Sequence, residues 1–290
     1  MSRICSFIDE SLENFFFSSK AWPFFAKCML KVAPPHVDQQ VLCNINKFLT
    51  PETAQSSAKD ATAGQKAMAF RNGAVFLALM GIATFYLAIL PYAVTIQESV
   101  GFSLAVAEAV FFVITALLVH YLIHKKTQWT QARSESEHKR YERLEYLVHQ
   151  KHATDELKVE FRNHLTEQIG YNKERFEMYE SIEKGSSRLT WALFAFTFAA
   201  VIGHLFFHHE WLLLVTAGFP VIAASLHALN SLTNVQRLSD DHKHILEKLE
   251  TIHNDKKGDL VSSAARLHSV LTNNDLIWAQ KTLDSQVTPP

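Results

Sequence analysis

The chain has no lysine or arginine in two long stretches of its sequence. All 28 of its lysines and arginines lie outside residues 73–124 and 189–230. A lysine or arginine at the centre of a bilayer costs about 3 kcal/mol on insertion scales, so their absence over such lengths is typical of lipid-embedded segments. The whole-chain averages, with 20% charged residues and a mean hydropathy near zero, conceal this distribution. We therefore interpret the chain as an integral membrane protein.

Cysteine is scarce, and the common catalytic motifs are absent. The three cysteines, Cys5, Cys28 and Cys43, form no CxxC pair, which favours reduced structural thiols. The chain contains no GxxxxGK[ST], HExxH, GxGxxG or GxSxG motif. A net charge of −1 and a pI of about 7.0 give no basic surface for nucleic acid. The sequence therefore predicts a protein that is not an enzyme, has no cofactor and binds no nucleic acid.

Each stretch without lysine or arginine is long enough for a helical hairpin across a bilayer. The first divides at Pro91 and Gly101 into residues 74–94 and 102–123, and the second divides at residues 208–210 into 191–207 and 211–229. Crossing a bilayer takes about 20 helical residues, and a helix satisfies its own backbone in lipid. The alternative is two very apolar hairpins in a soluble core, which would need four such segments by chance. We predict an all-α integral membrane protein with four transmembrane helices in two hairpins and a cytosolic helical bundle.

The positions of the basic residues predict the orientation of the spans. Residues 92–101 and 208–210 contain no lysine or arginine, whereas the other ends of the spans are flanked by Arg71, Lys125, Lys126, Arg188 and Arg237. By the positive-inside rule both hairpin tips lie outside the cytoplasm. We expect a multi-pass protein of the cell inner membrane with cytoplasmic N- and C-termini.

The remaining sequence predicts cytosolic helices around the two hairpins. The expected domains are N-terminal cytosolic or interfacial helices (1–49), a linker and entry helix (50–72), the first hairpin (73–124), a cytosolic segment (125–188), the second hairpin (189–230) and C-terminal helices (231–290). Residues 125–187 and the tail carry apolar residues at helical spacing: Tyr141, Leu144, Val148, Leu157, Phe161, Leu165, Ile169, Phe176, Tyr179, Ile182, Leu238, His242, Ile245, Leu249 and Ile252. Thr154 could cap the helix after it and Gly185 could end one. Each stripe is too narrow to fold alone, so the segments should pack together.

Residues 1–33 allow two interpretations. Ile4, Phe7, Ile8, Leu12, Phe15 and Phe16 recur at helical spacing, and lysines flank the apolar residues that follow. This pattern suits a helix lying on the inner leaflet, and it equally suits a helix packed on the other cytosolic segments.

The spans contain few ionisable residues, and these are the candidate functional groups. Glu108 could be a proton relay, an ion-path ligand or a packing contact, or it could bond a neighbouring helix near the interface. His120 and His227 lie near the inner ends of their spans and could face one pore. His204, His208 and His209 have a spacing that can bind a metal, although short histidine clusters usually bind none. We name Glu108, His120, His204 and His227 as the candidates for a membrane path or packing, and we predict no metal site.

Several stretches resemble the SLATT family, the SMODS- and SLOG-associating transmembrane effectors of bacteria. The similar stretches are residues 59–63 and 70–72 before the first span, the basic and aromatic residues 124–129 after the second, residues 219–229 followed by 235–239, and Trp278 in the tail. The resemblance covers about residues 60–278. It implies an antiviral effector that damages or permeabilises the inner membrane when a partner senses infection.

Three functions fit these features. The first is an oligomeric effector that perturbs the inner membrane after a soluble sensor or effector partner, or a ligand, triggers it. The second is an ion-channel or transporter subunit that uses Glu108 and the histidines. The third is a membrane scaffold that anchors a soluble partner. All three place the chain in a lipid bilayer, and we expect a homo-oligomer.

The orientation can be tested with reporter fusions. Fusions at Ser99 and His209 should report a periplasmic location, because the loops that hold them have no lysine or arginine. Fusions at Lys158 and Pro290 should report a cytosolic location. A cytosolic signal at Ser99 would contradict the predicted topology.

Overall fold

The structure is a computed structural model that describes residues 11–32, 58–93, 98–207, 209, 211–255 and 258–284. Side chains are described over the same ranges except at 58–63, 92–93, 98–99, 134–140 and 274–284. All regular secondary structure in these ranges is helical, and no strand occurs in them.

The helices follow the apolar and amphipathic segments of the sequence. Residues 11–18 are helical. The longer helices that follow are α1 (Ala21–Val32), α2 (Ala58–Ala93), α3 (Glu98–His149), α4 (Asp155–Phe206), α5 (Trp211–Thr233), α6 (Val235–Asn254) and α7 (Leu260–Asp284).

Four of these helices are long and apolar enough to cross a membrane, as the sequence predicts. The qualifying segments are Gly64–Pro91, Val100–Arg133, Asp155–Phe206 and Trp211–Thr233, in α2, α3, α4 and α5. The most apolar 18-residue windows of α3 and α4 contain no buried residue. Large apolar side chains, including Phe102, Phe112, Leu117, Phe196 and Leu205, are therefore exposed. Such a surface suits lipid better than water. The hairpin pairing and the orientation stay predictions.

Helices α3 and α4 continue far beyond their apolar segments. Each contains 52 residues, which corresponds to a length of about 78 Å at 1.5 Å per residue. The expectation that Gly185 ends a helix is wrong, because α4 runs through it. A glycine that ends a helix usually has positive φ, and no described glycine does. Gly185 instead allows α1 to approach α4 closely, since a Cβ at this position would collide with the carbonyl oxygen of Met29.

The chain divides into two compact units. The described parts of Met1–Val37, Met68–Lys125 and Ser181–Asn234 form the span unit. The described parts of Asp38–Ala67, Lys126–Glu180 and Val235–Pro290 form the bundle unit. Helices α3 and α4 contribute residues to both. Asn234, with φ of 53°, separates α5 from α6 at a unit border, and asparagine tolerates this left-handed conformation better than most residues.

The bundle unit has one apolar core built from four helices. The buried residues are Tyr141, Leu144 and Leu147 of α3, Leu157 and Leu165 of α4, Ile245, Leu249 and Ile252 of α6, and Ala264, Leu267 and Leu271 of α7. Helix α4 begins with the predicted cap, because the Thr154 hydroxyl accepts a hydrogen bond from the Leu157 amide at 3.1 Å. The predicted stripes over residues 141–148 and 157–169 thus pack on residues 245–271 of the tail, whereas the predicted stripe of Phe176, Tyr179 and Ile182 is not part of this core. The cytosolic location of this unit stays a prediction.

Charges placed in this core should destabilise the protein. Leu157 is fully buried and Phe161 packs against the core, so the double substitution Leu157→Asp and Phe161→Asp should remove several kcal/mol of stability. We expect the melting temperature of the detergent-extracted protein to fall by about 10 °C or more. The matched control is Val159→Asp with Asn163→Asp, which adds the same charge at exposed positions of α4. Equal melting temperatures of the two variants would show that the wrong face of α4 is assigned to the core.

Candidate functional site

The residues proposed for a membrane path differ in exposure. Glu108 is half-buried on α3, and it shares its less exposed face with Leu104, Phe111 and Thr115 at helical spacing. His120, His204, His227 and His209 are exposed, and His208 lies outside the described residues. A single copy of the chain therefore does not gather Glu108 and the histidines into one enclosed site, and a shared path stays a prediction.

The described part of the chain contains no candidate metal site. No group of three or more histidine, cysteine, aspartate or glutamate side chains there could hold an ion. Of the three weak metal candidates from the sequence, His204 and His209 are exposed, and an exposed pair alone does not make the four-ligand site that zinc takes.

Polar side chains at the borders of the two stretches without lysine or arginine form hydrogen bonds within the span unit. Asn72 directly precedes the first stretch and Lys125 directly follows it. Arg188 directly precedes the second stretch, and Asn230 is its last residue. We call these four residues the polar collar. Three of them bind the N-terminal segment, residues 11–32, and the fourth joins two spans.

Asn72 holds the turn between the first helical segment and α1. Its Oδ1 accepts a hydrogen bond from the Trp22 amide at 2.6 Å. Its Nδ2 donates to the carbonyl oxygens of Phe16 at 2.6 Å and Ser19 at 2.8 Å. Asn72 is completely buried, so these bonds satisfy backbone groups that water cannot reach. One side chain thereby fixes the direction in which the chain enters α1.

Lys125 forms the buried ion pair of the collar. Its Nζ donates to Oε2 of Glu13 at 2.5 Å, and it lies 5.5 Å from the centre of the Tyr121 ring. The side chain of Lys125 is 1% exposed and that of Glu13 is 18% exposed. An ammonium that is this deeply buried is tolerable only with a partner, because removing one member of a buried pair costs about 3–5 kcal/mol. Glu13 is therefore needed where α3 leaves its apolar segment.

The collar continues on α4 and α5. Arg188 donates from Nη1 to the carbonyl oxygen of Val32, the last residue of α1, at 3.4 Å. One turn earlier, Gly185 allows the backbone of Met29 to lie directly against α4. Asn230 of α5 donates to the Ser186 hydroxyl at 2.6 Å. Helices α4 and α5 are thus joined to each other, and α4 is joined to α1.

Helix α1 uses its apolar face to pack on these span ends. Trp22, Ala26, Met29 and Leu30 are buried, and the Arg71 guanidinium lies 5.5 Å from the centre of the Trp22 ring. This face therefore packs on the chain's own helices, at Arg71 and Asn72 of α2 and at Gly185 and Arg188 of α4. Whether the N-terminal segment lies in the cytosol or on the inner leaflet stays a prediction.

A second buried polar cluster lies in the bundle unit. The Oδ1 of Asn172 is 2.8 Å from Nδ1 of His242, and Nδ2 of Asn172 donates to the carbonyl oxygen of Gln168 at 2.8 Å. The His242 ring stacks on Tyr179 at 5.8 Å between centres and meets Tyr171 edge-on. The spacing of the tail predicts a buried His242, but nothing in the sequence marks Asn172 as its partner. A single polar pair in an apolar interface specifies how two helices align.

The collar and the His242 cluster are suited to holding helices and not to chemistry on a substrate. Their donors and acceptors bind backbone carbonyls, amides or other side chains of the same chain. Comparison of the chain with protein-family models, with curated proteins and with solved structures finds no match.

Removal of the Asn72 amide should loosen the N-terminal segment. In Asn72→Ala, the Trp22 amide and the carbonyls of Phe16 and Ser19 lose their partner, and each buried unsatisfied group costs about 1–3 kcal/mol. Amide hydrogen exchange in residues 11–32 should accelerate at least tenfold, since about 1.4 kcal/mol corresponds to a factor of ten. Asn163→Ala, at an exposed position of α4, is the matched control and should leave exchange unchanged. Unchanged exchange in Asn72→Ala would contradict the clamping role.

Proposed function

We propose that the chain is a membrane effector that perturbs the bacterial inner membrane when a partner or ligand acts on its helical bundle. The antiviral context and the soluble partner come from the SLATT resemblance. Four helices that are long and apolar enough to cross a bilayer support the membrane location. We expect the active form to be a homo-oligomer, because exposed apolar faces can meet a second copy as well as lipid.

The observation that supports an effector most is the continuity of α3 and α4. Both helices contain an apolar segment in the span unit and core residues of the bundle unit, with no break between them. A scaffold that only anchors a partner does not need such continuity, because a flexible linker would serve. An unbroken helix allows a change in the packing of Leu144 or Leu157 to rotate or shift a span.

The polar collar supplies a defined resting arrangement for this mechanism. Asn72, Lys125 and Arg188 tie three span borders to one N-terminal segment. A switch needs two arrangements that differ by a few kcal/mol, and the collar stabilises one of them. The half-buried Glu108 on α3 is then the ionisable group whose surroundings change when the span moves.

Helix continuity is tested at Gln131, an exposed residue of α3 between Lys125 and the bundle core. Substitution by Ala, Gly and Pro forms a graded series, because glycine costs about 1 kcal/mol and proline about 3 kcal/mol relative to alanine in a helix. We expect induced expression to depolarise bacterial cells, with Gln131→Ala equal to the parent protein, Gln131→Gly weaker and Gln131→Pro inactive. Membrane levels, measured on the same cells, should be equal. Full depolarisation by Gln131→Pro at equal level would contradict coupling through α3.

The alternative functions give different outcomes. Glu108→Gln keeps the shape and hydrogen bonding of the side chain but removes its charge. A channel or transporter subunit that uses Glu108 should change its ion selectivity or dye entry in this variant at an unchanged membrane level.

A scaffold should depolarise no cells at any expression level, with or without the products of its neighbouring genes. Protection in a phage plaque assay that disappears with Gln131→Pro would support the defence role.

A further inference from the structure

The face of α1 that points away from the span unit carries positive charge around one large apolar side chain. Lys20, Phe24, Lys27 and Lys31 are spaced by four, three and four residues, which places them on one side of a helix. Lys20 directly precedes α1, and the Phe24 amide donates to its carbonyl oxygen at 2.9 Å, so Lys20 continues the helical hydrogen-bond pattern. All four residues are exposed, and Phe24 is 70% exposed. The helix Ala21–Val32 contains no acidic residue.

The contacts of the opposite face of α1 determine how deep the lysine-bearing face lies in the membrane. The helix begins next to Asn72, which directly precedes the first stretch without lysine or arginine, and it ends next to Arg188, which directly precedes the second. Both stretches are the segments of the chain that suit the hydrocarbon layer. A helix held at their borders lies where the hydrocarbon meets the headgroups, and lysines around an apolar side chain are typical of helices in that zone.

We propose that Lys20, Phe24, Lys27 and Lys31 bind the headgroups of anionic phospholipids, with the Phe24 ring inserted among the acyl chains. The three ammonium groups match the negative phosphates of the leaflet, and the positive-inside rule assigns the same side of the membrane to Arg71, Lys125 and Arg188. Each lysine near an anionic surface strengthens binding about fivefold. This site requires insertion in a membrane, but it does not require that the protein perturbs one.

The proposal is tested on the unmodified full-length protein by amine acetylation. The protein is placed in nanodiscs of phosphatidylcholine alone and in nanodiscs with equal parts of phosphatidylcholine and phosphatidylglycerol, and the rate at each lysine is read by mass spectrometry. Lys20, Lys27 and Lys31 should react at least fivefold more slowly in the anionic discs. Lys151, Lys158 and Lys173, which are exposed in the bundle unit, should change by less than twofold.

Four outcomes would overturn the proposal. Equal rates at the α1 lysines in both discs would mean that anionic lipid is not their ligand, and slow rates in both discs would indicate a protein contact. Equal protection of the bundle lysines would show a general charge effect. A parallel sample in phosphatidylcholine discs with millimolar glycerol phosphate separates lipid from a free headgroup, and protection there would assign the site to a soluble phosphate. None of these results depends on depolarisation, so failure here is distinguishable from failure of the effector function.

Discussion

Buried polar groups must be satisfied by the protein itself because water cannot reach them, and the span unit depends on this constraint. Asn72 satisfies three backbone groups of the N-terminal segment, and Lys125 is neutralised by Glu13. Because both partners lie in residues 11–32, the N-terminal segment becomes part of the span unit. The close contact at Gly185, the burial of Trp22 and the outward orientation of three lysines all follow from where these bonds hold α1.

The same principle operates in the bundle unit with different groups. Its core is apolar at most positions, and apolar packing is non-directional. The bond between Asn172 and His242 favours one alignment, because any other would leave a buried amide or imidazole without its partner. Each unit therefore combines non-directional apolar packing with a few polar bonds that make the arrangement unique. The continuous helices α3 and α4 carry residues of both arrangements.

The sequence predicted the features that depend on composition and period. The four apolar helices follow from the exclusion of lysine and arginine by lipid, and the bundle core follows from the spacing of residues such as Leu144, Leu249 and Ile252. The sequence could not predict contacts that are specified by three-dimensional approach. Asn72 and Phe16 are 56 positions apart and Lys125 and Glu13 are 112 apart, and neither pair has a local pattern. Gly185 was misinterpreted for the same reason, since its role is to admit Met29 from another helix.

The most direct test of the collar is a double-mutant cycle that measures the interaction energy of its ion pair. The free energy of unfolding in detergent is measured for the parent protein, Glu13→Gln, Lys125→Gln and the variant with both substitutions. Because the pair is buried, each single substitution should destabilise by about 3 kcal/mol, and the double variant should lose at least about 1 kcal/mol less than the sum of the two. Strictly additive losses would mean that Glu13 and Lys125 do not interact, and the N-terminal segment would then not be held at the end of the second span.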